Sequence, residues 1–215
     1  MRLVSPSIIA GNWGRIADEA RALEAAGADW LHLDVMDGHF VPNVTFGPDL
    51  VKAVRGASSL FLDTHLMMTD PAAYVERFAE AGADLISFHI EAVKAPAPLL
   101  EKIRGLGKKA GLVLNPESDF ATVKPFLDRI DLLLVMSVHP GFAGQKFIPG
   151  VLPKLETART WRDEHNAQFH LEIDGGINAT TAPLAWKAGA DVVAAGAAVL
   201  RQADYRAAIA ELKSG

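Results

Sequence analysis

The sequence contains no cysteine. Disulfides and thiolate metal sites are therefore excluded, and the redox compartment is left open. Positive charge is also scarce: 21 Lys and Arg stand against 26 Asp and Glu, a net charge of −5. A nucleic-acid surface, which needs clustered Lys and Arg, is not expected. No apolar run is long enough to span a bilayer. The opening "MRLVSPSIIAGNWG" has one basic residue and no apolar leader segment. These absences lead to the expectation of a cytoplasmic protein with no membrane or nucleic-acid partner. No linker or low-complexity stretch interrupts the 215 residues, half of which are hydrophobic, so one domain spanning 1–215 is expected.

What the chain does contain is a repeated phrase. "EAAGADWLHLD" (24–34), "AEAGADLISFH" (79–89) and "WKAGADVVAAG" (186–196) each read as a helix end, a glycine and an apolar strand. Strand-like runs occur near 3–9, 30–36, 60–67, 85–91, 109–115, 132–138, 169–174 and 192–196. Helical patterns lie between them, as in 15–27, 71–82 and 151–165, with Pro71 in a first turn. Eight units of about 27 residues, each a strand followed by a helix, fit a compact (β/α)8 TIM barrel. A doubly wound open sheet is the alternative, but no glycine-rich dinucleotide loop follows the first strand.

Strand side chains alternate, so in "WLHLDVM" Leu31, Leu33 and Val35 share one face and His32, Asp34 and Met36 the other. The same parity places Asp63, His65 and Met67 inward on strand three, Ser87, His89 and Glu91 on strand four, and His170, Glu172 and Asp174 on strand seven. Buried charges are costly unless paired or bound to a metal. For any one histidine, a satisfied core position is the better reading. For His32, Asp34, His65 and Asp174 together, on three strands near one rim, ligation of one divalent ion is favoured over structural ion pairing. Mixed nitrogen and oxygen donors suit Zn2+, Fe2+, Mn2+ or Co2+ better than Mg2+ or Ca2+. His89 and Glu91 read as groups behind the ligands that hold them in place. His170 and Glu172 read as structural, and His39, His139 and His165 as loop or helix residues.

Met36, Met67 and Met136 each end a strand on the inward face, as core packing or as an apolar lining that excludes water. Glycines cluster at other strand ends: Gly141 and Gly144 after strand six, Gly175 and Gly176 after strand seven, Gly196 with Ala197 after strand eight. In a (β/α)8 barrel such turns build a phosphate site, although tight turns alone also require glycine.

These residues carry a resemblance. "SPSI" (5–8), "LHLDVMDGHFVPNVTFG" (31–47), "DTHLM" (63–67), "FHIE" (88–91), "LNP" (114–116), "VMSVHPGFAGQKF" (135–147) and "DGGIN" (174–178) resemble, in order and spacing, the ribulose-phosphate 3-epimerase family. The resemblance spans essentially the whole chain. It implies a metal-dependent barrel enzyme interconverting D-ribulose 5-phosphate and D-xylulose 5-phosphate by inversion at carbon 3. Carried over, the metal ligands are His32, Asp34, His65 and Asp174, with Zn2+ or Fe2+ favoured and Mn2+ or Co2+ as further fits. Asp34 and Asp174 are also the acid–base pair, Asp34 acting as base on ribulose 5-phosphate. Ser7, His65, Met36, Met67 and Met136 fall on the substrate pocket. Gly141, Phe142, Ala143, Gly144, Asp174, Gly175, Gly176, Gly196 and Ala197 fall around the substrate and its phosphate. A phosphosugar substrate and a homo-oligomer, dimer or hexamer, are implied.

The chain departs from the family pattern in "AGNWGRI", which includes Asn12 and Trp13, and at His139, Ala143 and Ala197. These bear on substrate preference and not on the ligand set. An epimerase for a related ketose phosphate such as a hexulose 6-phosphate, and a non-catalytic phosphosugar-binding barrel, are the alternatives. A Schiff-base aldolase is disfavoured because no strand ends inward on a lysine.

Overall fold

In a computed structural model describing residues 2–215, eight parallel strands form one sheet. They are β1 (Leu3–Pro6), β2 (Trp30–Met36), β3 (Phe61–Met67), β4 (Leu85–His89), β5 (Lys109–Leu114), β6 (Leu132–Met136), β7 (His170–Asp174) and β8 (Val192–Ala195). The order β1-β8-β7-β6-β5-β4-β3-β2 leaves β1 and β2 as the last two neighbours. A bridge between Ser7 and His32, and a hydrogen bond of 3.1 Å from the Asp29 N–H to the Val4 carbonyl, bring them together and all but close the barrel. The expected barrel architecture is present.

The helices are α1 (Ile16–Ala25), α2 (Pro48–Ala57), α3 (Val75–Ala81), α4 (Pro96–Gly105), α5 (Leu152–Glu164), α6 (Ala182–Ala188), α7 (Ala197–Leu200) and α8 (Tyr205–Ser214). One expectation fails. Between β5 and β6 there is no α-helix, only two 3-10 turns, Phe120–Thr122 and Lys124–Phe126. Pro125 falls inside this connection, where a continuing helix would need its missing N–H. Strand one also ends earlier than its apolar run: a 3-10 turn occupies Ile8–Ala10. Glu91 likewise lies beyond β4, in a 3-10 turn at Ile90–Ala92.

Two apolar layers follow from strand alternation. Leu31, Leu33, Leu62, Leu66, Ile86 and Phe88 point outward into the layer shared with the helices. Trp30, Leu85, Val113, Leu132, Leu134 and Val192 point inward and fill the lower barrel. Above them the interior turns polar: Ser5, Ser7, His32, Asp34, Asp63, His65, Ser87, His89 and Glu172 are all buried.

The repeated Gly-Ala-Asp phrase now has a cause. Gly82 and Gly189 end α3 and α6 with φ of 106° and 110°, in the left-handed region where a Cβ is strained. Ala28, Ala83 and Ala190 are buried against the barrel. The aspartates then stitch strand bottoms together. Asp29, Asp84 and Asp191 each donate a main-chain N–H to a carbonyl of the preceding strand, on Val4, Leu62 and Leu171. Their carboxylates accept from the N–H of those same three residues, at 2.8, 2.8 and 2.9 Å. Asp131 does the same to Ala110 without the Gly-Ala, which explains why only three phrases are visible in the sequence. Each carboxylate also meets a base: Lys213, Arg55, Arg104 and Arg162 in chain order of the aspartates.

Asp191→Ala removes a charge-assisted bond to the Leu171 N–H and strands Arg162. A loss of about 1–3 kcal/mol is expected, read as a lower urea midpoint. Asp18→Ala, which breaks only exposed pairs with Arg15 and Arg21, should leave the midpoint unchanged.

Candidate active site

The site is built first by the pairing of β2 and β3. In parallel register His32 lies beside Asp63, and Asp34 beside His65. "HLD" rising along β2 therefore faces "DTH" rising along β3, and each imidazole has a carboxyl directly across. Asp174 arrives at the top of β7. One donor atom from each of His32, Asp34, His65 and Asp174 lies within 4.8 Å of the others. The four residues singled out in the sequence are thus brought to one point.

The hydrogen bonds behind them fix which nitrogens face that point. His89 Nδ1 lies 3.3 Å from the Glu91 carboxylate and must present its N–H there. Its Nε2, 2.8 Å from His65 Nε2, then accepts the His65 proton. Neutral His89 suits this: burial lowers its pKa to about 4. The Nδ1 lone pair of His65 is left pointing at Asp34 Oδ1, 3.2 Å away. His32 repeats the arrangement with opposite nitrogens. Its Nδ1 is bound to Asp63 Oδ2 at 2.5 Å, and its Nε2 is buried with no hydrogen-bond partner. That Nε2 lies 3.3 Å from Asp34 Oδ1 and 3.9 Å from Asp174 Oδ2. Two nitrogen lone pairs and two carboxylates converge, an arrangement that calls for a cation between them. The donor set fits a divalent ion that accepts both nitrogen and oxygen.

Charge distribution splits the two aspartates. Burial alone would raise the Asp34 carboxyl, but the imidazoles of His32 and His65 outweigh it and hold it well below the usual range. Asp174 is pushed up to about 7 by burial and by the charge of Asp34. Burial would lower His32, yet Asp34 and Asp63 overcome this and push it well above the ordinary imidazole range. A lone pair so placed takes a proton or a cation. Ser7 donates to Asp34 Oδ2 at 2.5 Å, fixing the carboxylate from the β1 side.

A cavity opens above the cluster. Asp34, Met36, Met67, Met136, Asp174 and Ser7 form its floor, and the three methionines are buried. Gly141, Phe142, Ala143 and Gly144 line one side, and Gly175, Gly176, Gly196 and Ala197 another. His32 and His65 are fully buried beneath and do not line it. No Lys or Arg lines it among the described residues. Gly176 has φ 64°, and a Cβ there would meet the Phe147 backbone nitrogen at 2.5 Å, so a side chain is excluded. Asn12, Trp13 and His139 lie outside the lining; His139 instead meets Glu117 at 3.0 Å, both exposed. Ala143 and Ala197 do line it.

Sequence reasoning passed over Ile9, Val138, Pro140, Gln145, Ile177, Ala194 and Ala198, which complete the lining. Most are apolar and carry no local signal. Gln145 carried one, lying inside the long motif after β6. Its side-chain amide donates to the His139 and Phe142 carbonyls at 2.6 and 3.0 Å and folds that loop onto itself. Asp63, inward by parity, meets His32.

The chain is 45% identical over 211 residues to the ribulose-phosphate 3-epimerase of Bacillus subtilis (strain 168), covering 98% of this chain and 97% of the relative. It is 46% identical to the ribulose-phosphate 3-epimerase of Synechocystis sp. (strain ATCC 27184 / PCC 6803 / Kazusa), covering 99% and 93%. Among solved structures, a 3-hexulose-6-phosphate synthase superposes with a TM-score of 0.68, covering 100% of this chain and 99% of that one; at 22% identity this speaks for the fold alone. The model of the ribulose-phosphate 3 epimerase family matches residues 3–200. With a match running from the first strand through the helix after the eighth, and relatives so similar over nearly full length, this chain belongs to the ribulose-phosphate 3-epimerase family.

Proposed function

We propose that the protein interconverts D-ribulose 5-phosphate and D-xylulose 5-phosphate by moving a proton on and off carbon 3, with Asp34 and Asp174 as the two proton carriers. The observation that carries this reading is the pair of carboxyls, from β2 and β7, meeting at one cavity floor. Inversion requires a proton to leave one face of the carbon and return on the other. Two carboxyls from separated parts of a barrel wall can flank a sugar in that way. Asp34, held low by the imidazoles beside it, is a carboxylate with a lone pair free to take the proton. Asp174, pushed up to about 7, is ready to give one. In the reverse direction the roles exchange.

His32, Asp34, His65 and Asp174 would hold one divalent cation, Zn2+ or Fe2+ in first place and Mn2+ or Co2+ as further fits. When bound, such an ion supplies Lewis-acid stabilisation for the negative charge that develops beside the removed proton. The methionines at the floor exclude water from that charge. The phosphate is assigned to the glycine-lined walls above the floor, where the backbone of Gly176, Gly196 and Ala197, with Gly144 across from them, can supply main-chain N–H groups. With no Lys or Arg in the lining, these dipoles must balance the anion. No helix among the described residues is long and apolar enough to cross a membrane. A cytoplasmic location and a homo-oligomeric state, dimer or hexamer, complete the proposal.

The direct test is a coupled assay for xylulose 5-phosphate formation on the protein as purified, after chelation, and after adding back Zn2+ or Fe2+. Activity should vanish with the metal and return with it. Activity that survives verified metal removal would refute the metal role, and activity confined to a hexulose 6-phosphate would refute the substrate. Asp34→Asn and Asp174→Asn should each abolish turnover, a loss of at least about 10²–10⁴-fold for a removed proton carrier. Near-normal turnover by either would sink the two-carboxyl mechanism. Gly176→Ala, which forces the anion-side backbone to shift, should raise KM by at least about tenfold, the equivalent of roughly 1.4 kcal/mol of lost binding. An unchanged KM would move the phosphate elsewhere.

A further inference from the structure

Asp63 has no place in the chemistry above, yet it is a fully buried acid in the barrel interior. Its Oδ1 has no hydrogen-bond partner. Among the described residues, the hydrogen bond of its side chain runs to His32 Nδ1, at 2.5 Å. An apolar residue would fill the same space without the cost of burying a carboxyl. That single contact is therefore what the acid is there for. The opposite nitrogen of the same ring is the unpartnered Nε2 that faces Asp34 and Asp174.

We propose that Asp63 is a positioning residue that holds the His32 proton on Nδ1 and so presents the Nε2 lone pair to the cation site. This rests on the metal site proposed above. The β2–β3 register makes it possible, because it sets Asp63 directly beside His32. An imidazole free to exchange tautomers would spend part of its time with a proton on Nε2, closed to a metal. A carboxylate at Nδ1 removes that alternative, orients the ring and makes Nε2 a stronger donor. Glu172 does not share the task. Its Oε1 is 3.4 Å from the same nitrogen and forms no hydrogen bond, so it is the natural control.

The probe is Zn2+ alone, titrated into the stripped full-length protein in competition with a chromophoric chelator. Asp63→Asn should bind Zn2+ about 10- to 100-fold more weakly than wild type, the usual consequence of losing the acid behind a metal-bound imidazole. Glu172→Gln should bind within a factor of about three, since it leaves the Asp63–His32 bond intact. In zinc-loaded wild-type protein, 15N shifts of His32 should report a proton on Nδ1 and none on Nε2, a readout that needs no variant to fold. Wild-type Zn2+ affinity in a folded Asp63→Asn would overturn the assignment. An equal loss in Glu172→Gln, or an Nε2–H tautomer in the zinc-loaded wild type, would overturn it too. Failure of wild type to bind Zn2+ at all would overturn the metal site itself, and with it this role.

Discussion

The register between the second and third strands is the constraint on which the site depends. Trp30–Met36 and Phe61–Met67 run side by side for seven residues without a bulge. A slip of one residue would turn every inward group outward. A slip of two would keep the faces but separate His32 from Asp63 and Asp34 from His65. Only the observed pairing sets acid against imidazole in both layers. The upper layer can then face the cavity while the lower one supports it.

That arrangement places an electrostatic burden on the fold. Acids and imidazoles occupy the upper barrel with no buried Lys or Arg among the described residues to balance the charge. The imidazoles do part of the balancing, as the low Asp34 and high His32 indicate. Glu172 is handled differently: burial and the nearby charge of Asp63 push its carboxyl well above the usual range. A cation at the Nε2 and Nδ1 lone pairs would satisfy what remains. The lower barrel is packed with Trp30, Leu85, Val113, Leu132 and Val192, so the polar layer rests on a rigid apolar base.

The two ends of the barrel treat their aspartates in contrasting ways. At the bottom, Asp29, Asp84, Asp131 and Asp191 are tied to main-chain N–H groups and to Lys or Arg. Their hydrogen bonds are spent on holding strands together. At the top, Asp34 is held by the side chains of Ser7 and His65, and Asp174 has the charge of Asp34 to contend with. The same residue type is therefore tied into the main chain at one end and left with shifted acidity at the other, by virtue of its partners alone.

The sequence by itself determined the strands, their inward faces and the four residues that converge, because alternation along a strand is a local property of the chain. It also displayed the Gly-Ala-Asp phrase, though without its purpose, and hid the Asp131 instance that lacks the glycine. It misplaced one helix: the β5–β6 connection holds only 3-10 turns around Pro125, and two helices, α7 and α8, follow β8 instead. Only the tertiary structure decided that Asp63 stands behind His32, a partner 31 residues away, and that Gln145 pins its own loop. It alone fixed which nitrogen of each imidazole faces the site, because a tautomer is set by the hydrogen bond on the ring's other side. Those bonds come from neighbouring strands, and no periodicity within one strand encodes them.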